Sequence, residues 1–464
     1  MSHIAYISIG MNSTVHGSIE LGRRLSAAGH QVTFLSHQRI ARQVRANGFE
    51  FVRLEADDSW KAAAEQFPRP ANPLRLWHWV RTMRRLRRRS MQLAELDAAI
   101  EQLRPDLVLI DIECHVAIIA SRQWRIPVAL PMFWLSIFKQ KDRPPLNTPL
   151  FPPKSLADRI AVSLAWAKLH ARVIAGRLKE FLSGSVVRAR LRPVFYSTIR
   201  YTDLADLARV RGYRLKEEVD RLQWLRPYMY MRLPILSLNV YELDFPHSVH
   251  PNLSYIGPML NRRRAETHIE PEAAQPWSDY KSKRARSDSN SRPLIYCAFG
   301  SYLASDPMLI DDILGLAKRR KDWDFLIGLG ATRTPDDFDT PPQNVILMDW
   351  APQVEVLNYA SCSVVHAGIA TINECIFNEV PMIVMSTHTN DQDGTAARVK
   401  FHGLGVVLEK NSVTAEQLEQ HIEASLTDQS MKSALAKMSG LQSDYEQRNL
   451  AVRKIEQLLA HHDG

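Results

Sequence analysis

Two series of strand, turn and helix, one at the N-terminus and one beginning near residue 293, constrain the fold of this chain most strongly. In the first, the apolar run at residues 4–9 ends at Gly10, a polar turn follows, and residues 31–36 form the next apolar run. Apolar residues between these runs recur at helical spacing, with Gly29 as the stop signal. Strand, helix and strand in this order predict a parallel sheet.

Further apolar runs extend both series. In the first half we predict strands at residues 49–54, 105–111 and 126–134, two more within residues 233–258, and helices across residues 155–232. In the second half we predict strands at residues 293–301, 323–330 and 344–350, and helices at residues 308–319, 414–425 and 430–460. A chain of 464 residues is too long for one core, so the prediction is two α/β domains.

The composition, with 45% apolar and 23% charged residues, is that of a soluble globular protein. No apolar run approaches the roughly 20 residues of a membrane-spanning helix, and the N-terminus lacks the basic region and long apolar core of a signal peptide. The cysteines lack C-x-x-C spacing; they are Cys114, Cys297, Cys362 and Cys375. These features predict buried thiols in a cytoplasmic protein, without disulfides or a metal site.

The net charge of +9 is placed largely in patches, of which residues 75–92 are the most prominent. This stretch contains seven arginines, two tryptophans (Trp77 and Trp79) and no acidic residue. A surface helix with both tryptophans turned inward is one interpretation. The alternative is a peripheral membrane contact, in which arginines meet anionic headgroups and tryptophans lie at the interface. Nucleic acid is not expected as a partner, because no recognised binding module accompanies the patch.

Residues 350–392 carry sparse polar and aromatic side chains around two strand-like runs. The members of interest are Trp350, Gln353, His366, Gly368, Thr371, Glu374, Asp391 and Gln392. His366 and Gly368 open a predicted helix, whose free N–H groups and positive dipole end favour an anion. An aromatic, a phosphate-type turn, a carboxylate and an acid–amide pair, in this order, predict a sugar-nucleotide site. In the first half, Asp111 ends a predicted strand, where open α/β sheets bind ligands.

Several short motifs, taken in order, resemble the donor-binding signature of the UDP-glycosyltransferase superfamily, glycosyltransferase family 1. They are FGS (299–301), WAPQ (350–353), HAG (366–368), the pair Thr371 and Glu374, VP (380–381) and DQ (391–392). Residues 394–406 look most like the bacterial branch that includes macrolide and carotenoid glycosyltransferases, and residues 242–258 match the end of the family's N-terminal domain. The resemblance implies the GT-B fold, in which two Rossmann-like domains with parallel sheets face a central cleft.

The resemblance and the composition together divide the chain. Residues 1–258 are expected to form the acceptor-binding domain and residues 294–440 the nucleotide-sugar-binding domain. Residues 259–293 are polar and charged, and are predicted to be a partly disordered linker. Residues 441–464 are expected to form a C-terminal helix that packs back on the N-terminal domain.

The resemblance also implies residue roles in the donor site. The nucleobase is assigned to Trp350, Ala351 and Gln353, the diphosphate to Ser301, His366, Gly368, Ala370 and Thr371, the ribose to Glu374, and the sugar to Asp391 and Gln392. The structural alternatives are a buried core tryptophan at 350, a plain helix cap at 371, and a capped turn at 391–392. The sugar nucleotide is the expected co-substrate, with no metal and no further cofactor.

Three positions depart from the family pattern. The family usually has asparagine or a small polar residue at Ala370, glycine at Glu379 and proline at Ser386. The segment from Glu374 to Asp391 is also slightly longer than usual. The sugar pocket is therefore expected to differ from that of a common glucosyltransferase.

The catalytic base is the largest departure. Family members place a histidine in the first turn of the first helix, paired with an aspartate at the end of a later strand. Asp111 matches the aspartate, but the histidine position falls on Thr14, and His16 follows it. Either His16 acts as the base, or Thr14 is a helix N-cap or substrate contact, because a neutral hydroxyl cannot act as a base at pH 7. Glu113 and His115 are weaker candidates near Asp111.

Together these features predict an inverting, metal-independent glycosyltransferase. It would move a hexose from a UDP-glucose-like donor to a hydroxyl or other nucleophile of a small lipophilic natural product. A catalytically silent GT-B protein, acting as a binding or auxiliary partner, is the alternative that Thr14 supports. A membrane-surface transferase with a lipid acceptor is a third hypothesis, and it depends on residues 75–92.

Overall fold

The structure, a computed structural model, contains two parallel sheets with flanking helices. It describes residues 1–54, 72, 75, 78–79, 81–82, 93–182, 201–220, 229–264, 267, 269, 271–286, 292–300, 307–330, 333–338, 340–409 and 412–460. The strands are β1 (His3–Ile7), β2 (Gln31–Ser36), β3 (Glu50–Arg53), β4 (Leu107–Ile110), β5 (Val128–Met132), β6 (Val219–Asp220), β7 (Met229–Tyr230), β8 (Ile235–Ser237), β9 (Leu253–Tyr255), β10 (Leu294–Ala298), β11 (Asp324–Gly328), β12 (Val345–Met348), β13 (Cys362–Val365), β14 (Met382–Met385) and β15 (Gly405–Leu408).

Helices separate most of these strands, as the alternating pattern predicts. They are α1 (Asn12–Ala27), α2 (Ala41–Ala46), α3 (Ala94–Leu103), α4 (His115–Ala120), α5 (Leu156–Leu182), α6 (Tyr201–Arg211), α7 (Leu215–Glu218), α8 (Pro271–Arg286), α9 (Pro307–Arg319), α10 (Gln353–Leu357), α11 (Ile369–Phe377), α12 (Gln392–Phe401), α13 (Ala415–Thr427), α14 (Gln429–Gln447) and α15 (Leu450–Ala460). Short 3₁₀ turns lie at Gln38–Ile40, Ser121–Gln123, Tyr241–Leu243 and Pro335–Asp337.

Both sheets are parallel, and in each the strand order reverses beside the strand that comes first in the chain. The N-terminal sheet has the order β3-β2-β1-β4-β5-β8-β9. The C-terminal sheet has the order β12-β11-β10-β13-β14-β15. The predicted parallel α/β class is thereby confirmed. Ligands of such sheets bind beyond the carboxyl ends of the strands at the point of reversal, here between β1 and β4 and between β10 and β13.

Strands at these two points are buried on both faces. All residues of β4 and of β13 are buried, including the polar Ser363 of β13. A strand of a parallel sheet has helices on both faces, so its side chains are mostly apolar instead of alternating. The residues that follow β4 and β13 directly, Asp111 and His366, therefore lie at the ligand edge of each sheet.

The last two helices connect the two halves of the chain. Tyr445 on α14 packs against Gly257, and its hydroxyl accepts a hydrogen bond from the Tyr241 amide at 3.3 Å. On α15, Ile455 is fully buried in the apolar cluster that contains residues of β1 and α1. The predicted domain boundary between residues 440 and 441 lies inside α14 (Gln429–Gln447). The domain division itself stays a prediction.

The expected linker at residues 259–293 contains an ordered helix, α8, and the prediction of a partly disordered linker stays a prediction. Trp277 on this helix is 2% exposed, and its Nε1 donates to Glu355 Oε2 at 3.1 Å. Lys281 also pairs with Glu355. The polar composition of the segment hid this anchor, because one buried tryptophan and one partly exposed ion pair hold a helix that is otherwise mostly polar.

The remaining expectations concern thiols, metals and membranes. All four cysteines are buried free thiols. Among the described residues, no group of three or more His, Cys, Asp or Glu side chains is arranged to hold a metal ion. In that same part of the chain, none of the helices is both long and apolar enough to cross a membrane. Most of residues 75–92 lie outside the described residues.

Candidate active site

The start of α11 offers unpaired backbone donors at the reversal point of the C-terminal sheet. Gly368 is the N-cap of this helix, and no side chain caps it. The first N–H groups of a helix have no partner within the helix, and its dipole places positive charge there. This end of α11 is therefore suited to an anion such as a diphosphate. Thr371 lies inside the first turn, so it is not the helix cap.

His366 is held between two glycines beside this helix start. A Cβ atom on Gly300 would lie 3.0 Å from His366 Cε1, and one on Gly368 would lie 2.5 Å from His366 Nε2. Gly300 also has a φ of 59°, which glycine adopts without strain. Both turns therefore need glycine for the imidazole to take this place.

The protonation of His366 follows from its contacts. Its Nδ1 lies 3.4 Å from the carbonyl oxygen of Ala298, which can only accept, so Nδ1 carries the hydrogen. Burial lowers the pKa of His366, and the contact with Ala298 partly opposes this shift. The free protein therefore holds a neutral imidazole, with Nε2 as an acceptor next to Gly368. A bound diphosphate would favour protonation of Nε2.

Gln353, Thr371 and Glu374 form one hydrogen-bonded cluster. Gln353 Nε2 donates to Thr371 Oγ1 at 3.3 Å and to Glu374 Oε2. The hydroxyl of Tyr296, on β10, donates to Gln353 Oε1 at 3.1 Å. The structure therefore brings together three of the residues assigned to base, diphosphate and ribose, and Tyr296 fixes the amide orientation.

Arg264 is a member of this cluster that sequence reasoning missed. Its Nη1 donates to Glu374 Oε1 at 3.1 Å, and the two side chains are 8% and 11% exposed. An arginine at this distance orients the carboxylate through a charge-assisted hydrogen bond. The run of arginines at residues 262–264 is visible in the sequence, but nothing there indicates which one turns inward.

The other residues assigned to the base and the diphosphate differ in burial. Trp350 is half-buried at the end of the C-terminal sheet, so it is not a fully buried core tryptophan. Ala351 is buried, and Ala370 is half-buried in the first turn of α11. Ser301 lies outside the described residues.

Asp391 and Gln392 begin α12. Asp391 is the N-cap residue but makes no side-chain cap hydrogen bond. Burial raises the pKa of its carboxyl to about 6, and Arg398 opposes the shift. Gln392 Oε1 accepts from the amide of Thr387 at 2.9 Å and from its hydroxyl at 2.6 Å. The amide of Gln392 thus braces the preceding turn, while the Asp391 carboxyl makes no such capping contact.

Two departures from the family pattern have structural consequences. Glu379 has a φ of 56°, the left-handed conformation that glycine usually supplies after a helix. The hydroxyl of Ser386 donates to Asp393 Oδ1 at 2.7 Å and accepts from the His388 amide at 3.0 Å. A proline could not make these contacts, so the turn before α12 is built differently here.

Asp111 follows β4 at the reversal point of the N-terminal sheet. The amide of Glu113 donates to its Oδ1 at 3.0 Å, whereas its buried Oδ2 has no hydrogen-bond partner among the described residues. Burial raises the pKa of Asp111 well above its ordinary value, and the nearby Glu113 carboxylate adds to the shift. This carboxyl can accept one further N–H or O–H group, as the orienting partner of a base would require.

Thr14 and His16 lie on different faces of α1, so their side chains cannot occupy the same position. The helix begins at Asn12 with Met11 as N-cap, so the expectation that Thr14 is the N-cap is wrong. The Thr14 hydroxyl donates back to the Met11 carbonyl oxygen at 3.1 Å. Residues two apart on a helix point about 200° apart, so Thr14 and His16 face different neighbours.

Tyr6, on β1, senses groups on both sides of it. Burial and the Asp111 carboxylate raise the pKa of Tyr6, and the Ser18 hydroxyl lowers it. Ser18 lies one turn after Thr14 and donates to its carbonyl oxygen at 3.1 Å. The choice between Thr14 and His16 for the base position stays a prediction.

The weaker candidates have other contacts. The Nδ1 of His115 lies 2.8 Å from the hydroxyl of Tyr230, and His115 is 3% exposed. Glu113 contributes its amide to Asp111, as described above. His115 is thus part of a buried contact between α4 and β7.

The fold and the two strand-end sites define a GT-B protein, and solved glycosyltransferases share its architecture. The structure of the kitacinnamycin glycotransferase has a TM-score of 0.65 and 21% identity, and the match covers 99% of each chain. The glycosyltransferase VinC, solved in complex with dTDP, has a TM-score of 0.61 and 17% identity, again over 99% of each chain. At these identities the likeness shows the fold alone.

Sequence comparison then gives the family. The chain belongs to the family described as UDP-glucoronosyl and UDP-glucosyl transferase, whose family model matches residues 227–464. Human UDP-glucuronosyltransferase 1A6 is 28% identical over 256 residues, which are 53% of this chain and 43% of the human protein. The chain thus matches less than half the length of this curated relative. The predicted family and fold are confirmed.

Proposed function

We propose that this protein transfers a hexose, with inversion, from a nucleoside diphosphate sugar to a hydroxyl or other nucleophile of a small lipophilic acceptor. One observation carries the proposal: the uncapped start of α11 adjoins His366 and the cluster of Gln353, Thr371 and Glu374. An anion site next to a carboxylate and an amide matches a diphosphate followed by a ribose and a base. Membership of the family and the VinC complex with dTDP support it.

The proposed reaction uses this geometry at the leaving group. The acceptor oxygen attacks the anomeric carbon from the face opposite the diphosphate, the bond from that carbon to the diphosphate oxygen breaks, and the acceptor proton leaves to a base or to water. The N–H groups of α11 and a protonated His366 stabilise the negative charge of the departing diphosphate. Asp391 would accept hydrogen bonds from sugar hydroxyls.

Several finer expectations stay predictions within this proposal. They concern a glucose-type sugar, a natural-product acceptor, a cytoplasmic location, the lack of a nucleic-acid partner and a membrane contact through residues 75–92, most of which lie outside the described residues. The comparisons give no support to the alternative of a catalytically silent binding partner, because the relatives named above carry transferase names.

A transfer assay tests the proposal. The protein is incubated with UDP-sugars and dTDP-sugars and a panel of phenolic and alcohol acceptors, and the anomeric configuration of the product is read by NMR. We expect a product of inverted configuration and a loss of about 10²-fold or more in kcat/KM for His366→Ala. His421→Gln, a histidine change on α13, is the matched control. Full activity of His366→Ala would contradict the assignment of the diphosphate site.

A further inference from the structure

Helix α5 (Leu156–Leu182) presents a second apolar stripe to solvent. Its buried stripe packs on the protein and consists of Val162, Trp166, Leu169 and Val173. On another face, large apolar side chains are exposed to fractions of 74, 52, 64, 54 and 54%; they are Leu156, Ile160, Leu164, Ile174 and Leu178. Large apolar side chains that stay exposed in a row mark an interaction surface.

The spacing places these five residues on one line. Steps of four residues from Leu156 to Ile160 and Leu164, and from Ile174 to Leu178, keep side chains within one face of a helix. Ala167 and Ala171 fall on the same line and join its two halves. The helix has 27 residues, so the stripe runs along most of about 40 Å.

Basic residues border this stripe on both sides. At about 100° per residue, Lys168 and Arg172 fall on one flank and Arg159 and Arg177 on the other. The acidic Asp158 holds a register position near the buried stripe instead. An apolar stripe between two basic flanks is the pattern of a helix that lies in the interface of an anionic bilayer, where long basic side chains reach the headgroups.

We propose that α5 docks this protein on an anionic lipid surface, with the stripe from Leu156 to Leu178 inserted among the acyl chains. A second copy of the chain fits the same stripe less well, because pairing two copies would bring their basic flanks together, and Asp142, which lies 3.9 Å from Arg159, offsets only part of this charge. The proposal adds a membrane contact at a different place from residues 75–92, and it requires neither donor nor acceptor.

Vesicle co-sedimentation of the full-length protein tests it. We expect binding to phosphatidylcholine vesicles that contain phosphatidylglycerol, and a loss of about tenfold or more in Ile160→Gln/Leu164→Gln/Ile174→Gln. Lys168→Glu/Arg172→Glu should lose the preference for anionic over neutral vesicles. The matched control, Val210→Gln/Val249→Gln/Tyr359→Gln, changes exposed residues elsewhere and should bind like the unmodified protein.

Three results would overturn the proposal. The first is that the unmodified protein does not bind vesicles. The second is that the triple variant on α5 binds vesicles as strongly as the unmodified protein. The third is that light scattering shows a dimer, which the same triple variant converts to a monomer. Thermal unfolding followed by circular dichroism checks that the variants are folded. If the triple variant is not folded, Leu156→Gln alone, at the exposed start of α5, repeats the comparison and should bind more weakly than Val249→Gln.

Discussion

At the scale of single residues, the base position is what separates this chain from its family. By the family pattern the base position falls on Thr14, and a threonine hydroxyl cannot act as a base at neutral pH. Asp111 nevertheless keeps a buried oxygen without a partner in the described part of the chain. We therefore propose that the orienting carboxyl is retained while the residue that it would orient is a threonine.

Thr14→His should raise kcat for alcohol acceptors by about 10²-fold, because a positioned general base contributes at least this much. The gain should be lost in the double variant with Asp111→Asn, which keeps the shape of the site but lacks the charge. His16→Gln in the unmodified protein should change kcat little. Steady-state kinetics of these variants checks the assignment, and loss of activity in His16→Gln would show that His16 is the base.

Asp111→Asn should also stabilise the fold at alkaline pH. A carboxyl whose pKa is raised by folding stabilises the protein fully below about pH 4, and this contribution is lost as pH rises through the folded pKa. We therefore expect equal free energies of unfolding for the two proteins at low pH, and about 2 kcal/mol in favour of the variant at about pH 9. Urea unfolding at both pH values measures the difference, and a variant less stable at high pH would contradict the cause given for the shift.

At the scale of elements, the turn after α11 carries strain. Glu379 has a positive φ, and its amide donates to the Ile376 carbonyl oxygen at 3.0 Å, so it ends the helix in the way glycine usually does. A residue with a Cβ atom pays about 1–2 kcal/mol for this conformation. Position 379 is therefore one place at which relief of strain should improve the stability of the fold.

Glu379→Gly should raise the free energy of unfolding by about 0.5–1 kcal/mol, because relief of strain exceeds the greater chain entropy of glycine when unfolded. Glu423→Gly, inside the exposed face of α13, is a control of opposite sign and should destabilise by about 1 kcal/mol. Chemical denaturation measures both. Destabilisation by Glu379→Gly would mean that contacts of the glutamate side chain outweigh the strain.

The elements themselves were largely predictable, because strands buried on both faces are continuous apolar runs and amphipathic helices have a clear period. Asp111 and His366 could be placed because each follows such a strand directly. Helix α8 could not be predicted, because its buried anchor, Trp277, stands among mostly polar residues. Arg264 could not be either, since its contact with Glu374 joins residues 110 positions apart.

At the scale of the whole molecule, helices of the donor half are fastened to the first half. Arg398 on α12 pairs with Asp244 at 2.7 Å, and both side chains are buried. Next to Glu374 on α11, Asn373 donates to Asn239 Oδ1 at 2.8 Å. These contacts fix α11 and α12, the helices that carry the assigned donor residues, relative to the N-terminal sheet.

Gly394→Ala should disturb this junction. A Cβ atom there would lie 2.0 Å from the Leu146 carbonyl oxygen, which now accepts from the Gly394 amide at 2.9 Å. We expect the substitution to lower the free energy of unfolding by about 1–3 kcal/mol. It should weaken binding of the sugar nucleotide more than binding of the free nucleotide, because Asp391 lies on the shifted helix end. Gly440→Ala, which would meet no atom within 4 Å on α14, is the control and should stabilise slightly. Equal effects of the two changes would contradict the tight junction.

Calorimetric titration with UDP, in two buffers of different ionisation enthalpy near pH 7, measures affinity and proton uptake together. Because burial lowers the pKa of His366 in the free protein and a diphosphate favours its protonation, binding should take up a proton. His366→Gln should bind UDP at least about tenfold more weakly, without proton uptake, whereas His421→Gln should behave like the unmodified protein. Binding of equal strength and equal proton uptake in His366→Gln would show that the diphosphate does not lie at the start of α11.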